Sequence, residues 1–152
     1  MRILVSACLL GFGCRYDGGS NPCEAVMRLS ENHTLIPFCP EIYGGLPTPR
    51  NPSERSGQRV MMNNGTDVTK YFRRGAKEAL KAYRGFDCEC AILKENSPSC
   101  GSGTIYDGSF SGMFKEGYGI TAELFREEGI PIYGESEIDK LQEKGTDKTD
   151  ET

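Results

Sequence analysis

Four short, apolar, β-prone runs set the frame of this chain: RILVSA (2–7), HTLIPF (33–38), CECAILK (88–94) and IPIYG (130–134). Helical patterns lie between them. Asn21-Pro22 reads as a helix opening, with Asn21 as N-cap, Pro22 at the first helical position and Glu24 completing a capping box. That helix is expected over PCEAVMRLSEN. A second helix is expected from the cap Thr66 or Asp67 to Tyr83, because Val68, Tyr71, Phe72, Ala76, Ala79, Leu80 and Tyr83 recur on one face. A third, ITAELFREEG, is closed by Gly129. Buried strands alternating with helices predict an α/β domain, a single three-layer Rossmann-like unit with a mostly parallel sheet and long loops at the strand C-terminal edge. RVMMN (59–63) reads as a short extra strand. The Pro- and Gly-dense CPEIYGGLPTPRNPSERSG and the stretch from Glu95 to about Gly117 read as loops without regular structure.

The chain has 152 residues, the size of one domain with one core. The domain is expected over 1–138, followed by a polar, flexible tail over 139–152. No apolar run approaches the roughly 20 residues that cross a bilayer. MRILVSACLLGFG has the look of a secretory leader, but its apolar part is short and broken by Ser6, Cys8 and Gly11; it is read as the first strand. A cytoplasmic protein is therefore expected. The net charge of −4 gives no field that draws nucleic-acid backbone, so no large nucleic-acid partner is expected.

Seven cysteines are many for such a chain. An odd number argues against a disulfide framework, and a reducing compartment argues the same way. In a parallel α/β sheet the site lies beyond the carboxyl ends of the strands. Cys8 follows the first strand, Cys39 the second, and Cys100 lies in the loop after the third. Cys88 and Cys90 fall within or at the far end of that third strand, and Cys14 and Cys23 are local to the first loop and helix. There is no C-x-x-C pair, so compact zinc-finger and ferredoxin spacings are absent. The same loops bring Asp17, Glu41, Arg50, Ser97 and Ser99, the polar minority of a small-molecule pocket. Three thiolates would leave a [4Fe–4S] cluster one ligand short, and an open iron is a soft Lewis acid suited to sulfur.

SACLLG, CRYDG, CPEIYGGLPTPR, LKENSPSCG, YDGSF and GYGITAELFREEGI, in this order, resemble the bacterial thiouracil desulfidase family over residues 2 to about 135. The resemblance implies a [4Fe–4S] cluster held by Cys8, Cys39 and Cys100, with one iron open. It implies non-redox hydrolytic removal of sulfur from a thiolated uracil, the substrate's sulfur lying on that iron. Relatives in which the domain is fused to a second one act on thiouridine in tRNA. Without that second domain here, a free base or small nucleotide is the expected substrate, and iron–sulfur assembly machinery the expected partner. Beside the cluster, we assign Glu41 and Ser99 to catalysis and Asp17, Ser97 and Arg50 to substrate binding. Glu41 has a plainer alternative, capping the PTPR loop or pairing with Arg50, and Arg50 is read as a binder of phosphate on a nucleotide substrate. The only histidine, His33, is read as structural. Two other classes stay open on the residues alone: a metal-free cysteine protein of sulfur transfer or redox exchange, and a zinc or small-molecule binding module.

Overall fold

A computed structural model describes residues 1–141. Four parallel strands, β1 (Arg2–Ser6), β2 (Thr34–Phe38), β5 (Cys90–Leu93) and β8 (Ile132–Gly134), form the central sheet in the order β2-β1-β5-β8. These are the four runs predicted above. Side chains alternate across a strand, so each face acquires its own core. Ile3, Val5, Cys90, Ile92 and Tyr133 pack on one side with Leu9, and with Val26 of α1 (Glu24–Arg28). Leu4, Ala91 and Leu93 pack on the other with Ala79 and Tyr83 of α3 (Thr69–Gly85) and Phe125 of α4 (Ile120–Glu127). The result is the three-layer α/β arrangement. Ile138 and Leu141 are buried in the first core; the expected tail lies outside the described residues from 142 on. No helix among the described residues is long and apolar enough to cross a membrane.

The two stretches read as irregular are partly ordered. Pro40–Tyr43 forms a single helical turn, α2, with proline at its first position, where the missing N–H costs nothing. Ser53–Ser56 (β3) pairs antiparallel with Arg59–Met62 (β4) across the two-residue loop Gly57-Gln58. Ser102–Tyr106 (β6) pairs with Phe114–Tyr118 (β7). These hairpins lack clean apolar alternation because they cover the sheet edge rather than fill it; in β6 only Ile105 is buried. Helix starts also moved. α1 begins at Glu24, not Pro22, because Asn21 is taken by the first loop: its N–H donates to the Cys8 carbonyl and its Oδ1 accepts from Arg15. α3 begins at Thr69, whose N–H and hydroxyl both donate to Asp67.

The sequence order reverses beside β1, which is flanked by β2 and β5, and a crevice opens there at the carboxyl ends. α2, at that edge, rests on α3 backbone to backbone. A Cβ built on Gly75 of α3 would lie 1.9 Å from the Pro40 carbonyl oxygen. Gly75→Ala should therefore lower stability by about 1–3 kcal/mol in urea unfolding, the usual cost of overpacking. Gly85→Ala, where no atom lies within 4 Å of the added carbon, should leave stability unchanged or slightly raised.

Candidate functional site

The crevice is a cavity of about 450 Å³, and Cys8, Cys39 and Cys100 all line it. Each is placed by the end of its strand. Cys8 sits in the 3-10 turn Ala7–Leu10 that ends β1, Cys39 follows β2 and precedes α2, and Cys100 belongs to SPSCG after β5. That last loop is fixed by α4, whose first N–H groups need acceptors: Ile120 N–H donates to the Pro98 carbonyl, and Thr121 and Ala122 N–H donate to that of Ser99.

A fourth cysteine joins them. Cys14, read as local to the first loop, is buried and lines the same cavity. Gly11 adopts φ 93°, a left-handed turn that suits glycine, and the chain folds back so that Cys14 comes beside Cys8 and Cys39, the Cys39 thiol donating to the Cys14 carbonyl at 3.9 Å. The pattern SACLLGFGC held a clue: three glycine-flanked residues between Leu10 and Cys14 are the length of a tight reversal. Cys88 and Cys90 lie away from the cavity, as expected, and Cys90 is buried. All seven cysteines are free thiols.

The thiols differ in acidity for identifiable reasons. The hydrogen bond from Cys14 favours the thiolate of Cys8 against burial and brings its pKa down to about 7. The same donor lowers Cys39. Cys14, whose protonated form is favoured by its hydrogen bonding with those two sulfurs, is pushed up. Burial pushes Cys100 up to about 12, opposed by the hydroxyls of Ser6 and Ser99.

Next to the sulfurs runs a chain of oxygens. Glu41, on α2, takes two hydrogen bonds from Arg50 on Oε1, from Nε at 3.2 Å and Nη2 at 3.0 Å. On Oε2 it accepts the Ser99 hydroxyl at 3.0 Å. The Ser97 and Ser99 hydroxyls are 2.9 Å apart, and Ser97 Oγ accepts the N–H of Ser99 and of Cys100, both at 3.0 Å. A charge-assisted bond is the stronger sink for the Ser99 proton, so that proton points at Glu41 and the Ser97 hydroxyl donates to Ser99. Ser99 Oγ also stands 3.5 Å from the Cys100 sulfur.

Of the five polar residues read as site residues, Glu41, Ser97, Ser99 and Arg50 meet at the cavity, while Asp17 does not line it. Asp17 accepts the Gly19 N–H and lies 3.5 Å from Arg15 on the outside of the loop. Arg50 is present in another capacity than substrate binding. Its side chain is 3% exposed, and besides Glu41 it donates to the carbonyls of Cys14 and Pro47 and to the Thr48 hydroxyl. Five hydrogen bonds to four acceptors use the five N–H groups of the guanidinium, so none is left for a ligand. His33 is remote from the cavity, its Nδ1 3.0 Å from the amino terminus.

The donor set suits iron and sulfide. Soft thiolates select Fe–S clusters, and four line one cavity. Among the described residues, no group of three His, Cys, Asp or Glu side chains is arranged to hold a single metal ion.

Three comparisons bear on this site. A model of the 2-thiouracil desulfurase family matches residues 3–137. The uncharacterized protein YbbK of Bacillus subtilis (strain 168) is 38% identical over 91% of this chain and 99% of its own. A solved structure, the [4Fe-4S]-dependent thiouracil desulfidase TudS, superposes with a TM-score of 0.89 at 44% identity, covering 95% of this chain and 97% of that one.

The thiol chemistry is open to a direct check. In the metal-free protein, alkylation followed by mass spectrometry should show Cys8 reacting with a midpoint near pH 7, because only the thiolate attacks. Cys100 should stay unmodified until strongly alkaline pH.

Proposed function

The chain belongs to the 2-thiouracil desulfurase family, and from that premise we propose that it is a [4Fe–4S]-dependent desulfidase that converts thiolated uracil, as free base or small nucleotide, to the oxygen analogue. The observation that carries the reading is the meeting, in one cavity, of Cys8, Cys39 and Cys100 with the Arg50–Glu41–Ser99 chain. Cys8, Cys39 and Cys100 would hold the cluster; Cys14, whose thiol touches two of them, stands beside the ligand set. Bound there, the cluster would supply an iron without a protein ligand, a soft Lewis acid for the substrate's sulfur.

The overall change is a thiocarbonyl plus water giving a carbonyl plus hydrogen sulfide, with no electrons transferred. The chain's own part is proton handling. Arg50 holds Glu41 Oε1, so Oε2 is the oxygen left for chemistry. Oε2, with the Ser99 hydroxyl, receives the proton of the water that attacks the sulfur-bearing carbon, and returns it to the departing sulfide. Ser97 keeps Ser99 in place through hydrogen bonds to its hydroxyl and N–H.

Anaerobic reconstitution with iron and sulfide, followed by assay of thiouracil, thiouridine and its monophosphate, tests the reading. Turnover should need the cluster; turnover by metal-free protein would point to cysteine-based sulfur transfer instead. Cys8→Ser, Cys39→Ser and Cys100→Ser should each lose bound iron and sulfide, while Cys14→Ser should keep both. Glu41→Gln should keep the cluster and lose about 10²- to 10⁴-fold in kcat, the range of general acid–base catalysis.

A further inference from the structure

The reaction outlined above leaves two carboxylates of the cavity unused, Glu54 and Glu95, and Glu95 is engaged by the N–H and hydroxyl of Ser136. Glu54, on β3, is only 9% exposed, yet it lines the same cavity as Glu41 and the cysteines. Its neighbour does not neutralise it. Arg55 is buried as well, but alternation along the strand sends its guanidinium elsewhere: to the Tyr118 and Gly57 carbonyls and to Glu123 at 2.7 Å. Among the described residues, no basic side chain forms a salt bridge with Glu54.

The two oxygens of Glu54 have different surroundings. Oε1 accepts the N–H of Gly108 at 3.0 Å and of Phe110 at 3.1 Å. It thereby holds the YDGSF turn, in which Phe110 takes the left-handed φ of 58°. Among the described residues, Oε2 has no hydrogen-bond partner. It is not sealed in either, since Thr121 Oγ1 is the one enclosed, unpartnered side-chain polar atom among the described residues. An oxygen that is unpartnered but accessible, on a residue nine-tenths buried and lining a cavity, is open to that cavity. A carboxylate so placed is costly until a donor reaches it.

We propose that Glu54 is a substrate-recognition residue whose Oε2 accepts a hydrogen bond from a ring N–H of the thiolated uracil. This rests on the function proposed above. A thiouracil ring offers N–H donors flanked by carbonyl or thiocarbonyl groups. Arg50, fully engaged, supplies nothing to such a ring, Glu41 Oε2 is assigned to the attacking water, and Glu95 is engaged by Ser136, so Glu54 Oε2 stands available to a ring N–H. The hairpin β3–β4 then exists in part to carry this oxygen to the cavity.

The test uses the reconstituted holoenzyme and Glu54→Gln. The amide keeps an acceptor oxygen for the Gly108 and Phe110 N–H groups but replaces Oε2 by a donor. KM for 4-thiouracil should rise about 10- to 100-fold, the worth of a hydrogen bond to a charged group, with kcat within about twofold and cluster content unchanged. The affinity for uracil, measured by calorimetry, should fall by the same factor. One of the two mono-N-methylated 4-thiouracils should bind the wild type as weakly as the parent compound binds Glu54→Gln, and should be insensitive to that substitution. If the wild type turns over 4-thiouracil while Glu54→Gln leaves KM and uracil affinity unchanged, this inference is overturned alone. If the wild-type holoprotein neither turns over 4-thiouracil nor binds uracil, the functional reading falls and this one with it. Should Glu54→Gln fail to fold, the methylated compounds decide on the wild type: equal affinity for both isomers and the parent would overturn the proposal.

Discussion

The site depends on one buried guanidinium. Arg50 ties together three stretches of chain: the first loop at the Cys14 carbonyl, α2 at Glu41, and its own loop at Pro47 and Thr48. The Cys14 carbonyl and Glu41 are part-buried acceptors that would be costly to leave bare, and the five N–H groups of one planar fork satisfy them together with the exposed Pro47 and Thr48. A lysine, a point charge with three donors, has no comparable reach. The guanidinium also settles what Glu41 can do. With one carboxylate oxygen held by two charge-assisted bonds, the other has a fixed direction toward Ser99.

Much of this was legible in the sequence and the remainder fails for physical reasons. The four strands of the sheet were readable because both faces are buried, which makes them continuous apolar runs. Cys8, Cys39 and Cys100 were separable from Cys88 and Cys90 because strand ends, in a parallel sheet, say which edge a loop faces. Cys14 was missed because its placement rests on a reversal at Gly11, and single-residue backbone conformation leaves little trace in composition. Glu54 was missed for a related reason: SERS has no apolar alternation, so nothing marked it as a strand with an inward face. Arg50 was noticed, but a loop arginine reads equally as a phosphate binder or as half of an ion pair. Only the count of its acceptors decides between them. Asp17 and Asn21 were read as site residue and N-cap, whereas local hydrogen bonding inside the first loop claims both.

Charge in the cavity bears on which ligands it tolerates. Thiols inclined to ionise, Cys8 and Cys39, share the space with Glu41 and Glu54. Arg50 offsets Glu41, and Lys94 is engaged by Glu135 at 3.0 Å and by the Glu95 carbonyl. Ionised sulfurs and carboxylates gathered this way repel one another and are costly to desolvate. A [4Fe–4S] cluster of the kind proposed above would answer that charge with metal–sulfur bonds.

Two motifs make the arrangement hard to divide. In CPE a sulfur at Cys39 and an oxygen at Glu41 are separated by one proline at the start of a single helical turn. In SPSC the hydroxyl of Ser99 and the sulfur of Cys100 are on consecutive residues, with Ser97 bonded to the backbone of both. Each short segment therefore fixes one would-be ligand of the metal and one group that handles protons by the same few dihedral angles. The hydrogen bond between Glu41 and Ser99 then joins the two segments, so the spacing of sulfur from sulfur cannot change without moving oxygen from oxygen. Preorganisation of this kind requires no separate scaffold for catalysis. It also explains why α3 approaches α2 at backbone distance: a side chain at Gly75 would displace Pro40, and with it both the thiol before it and the carboxylate after it.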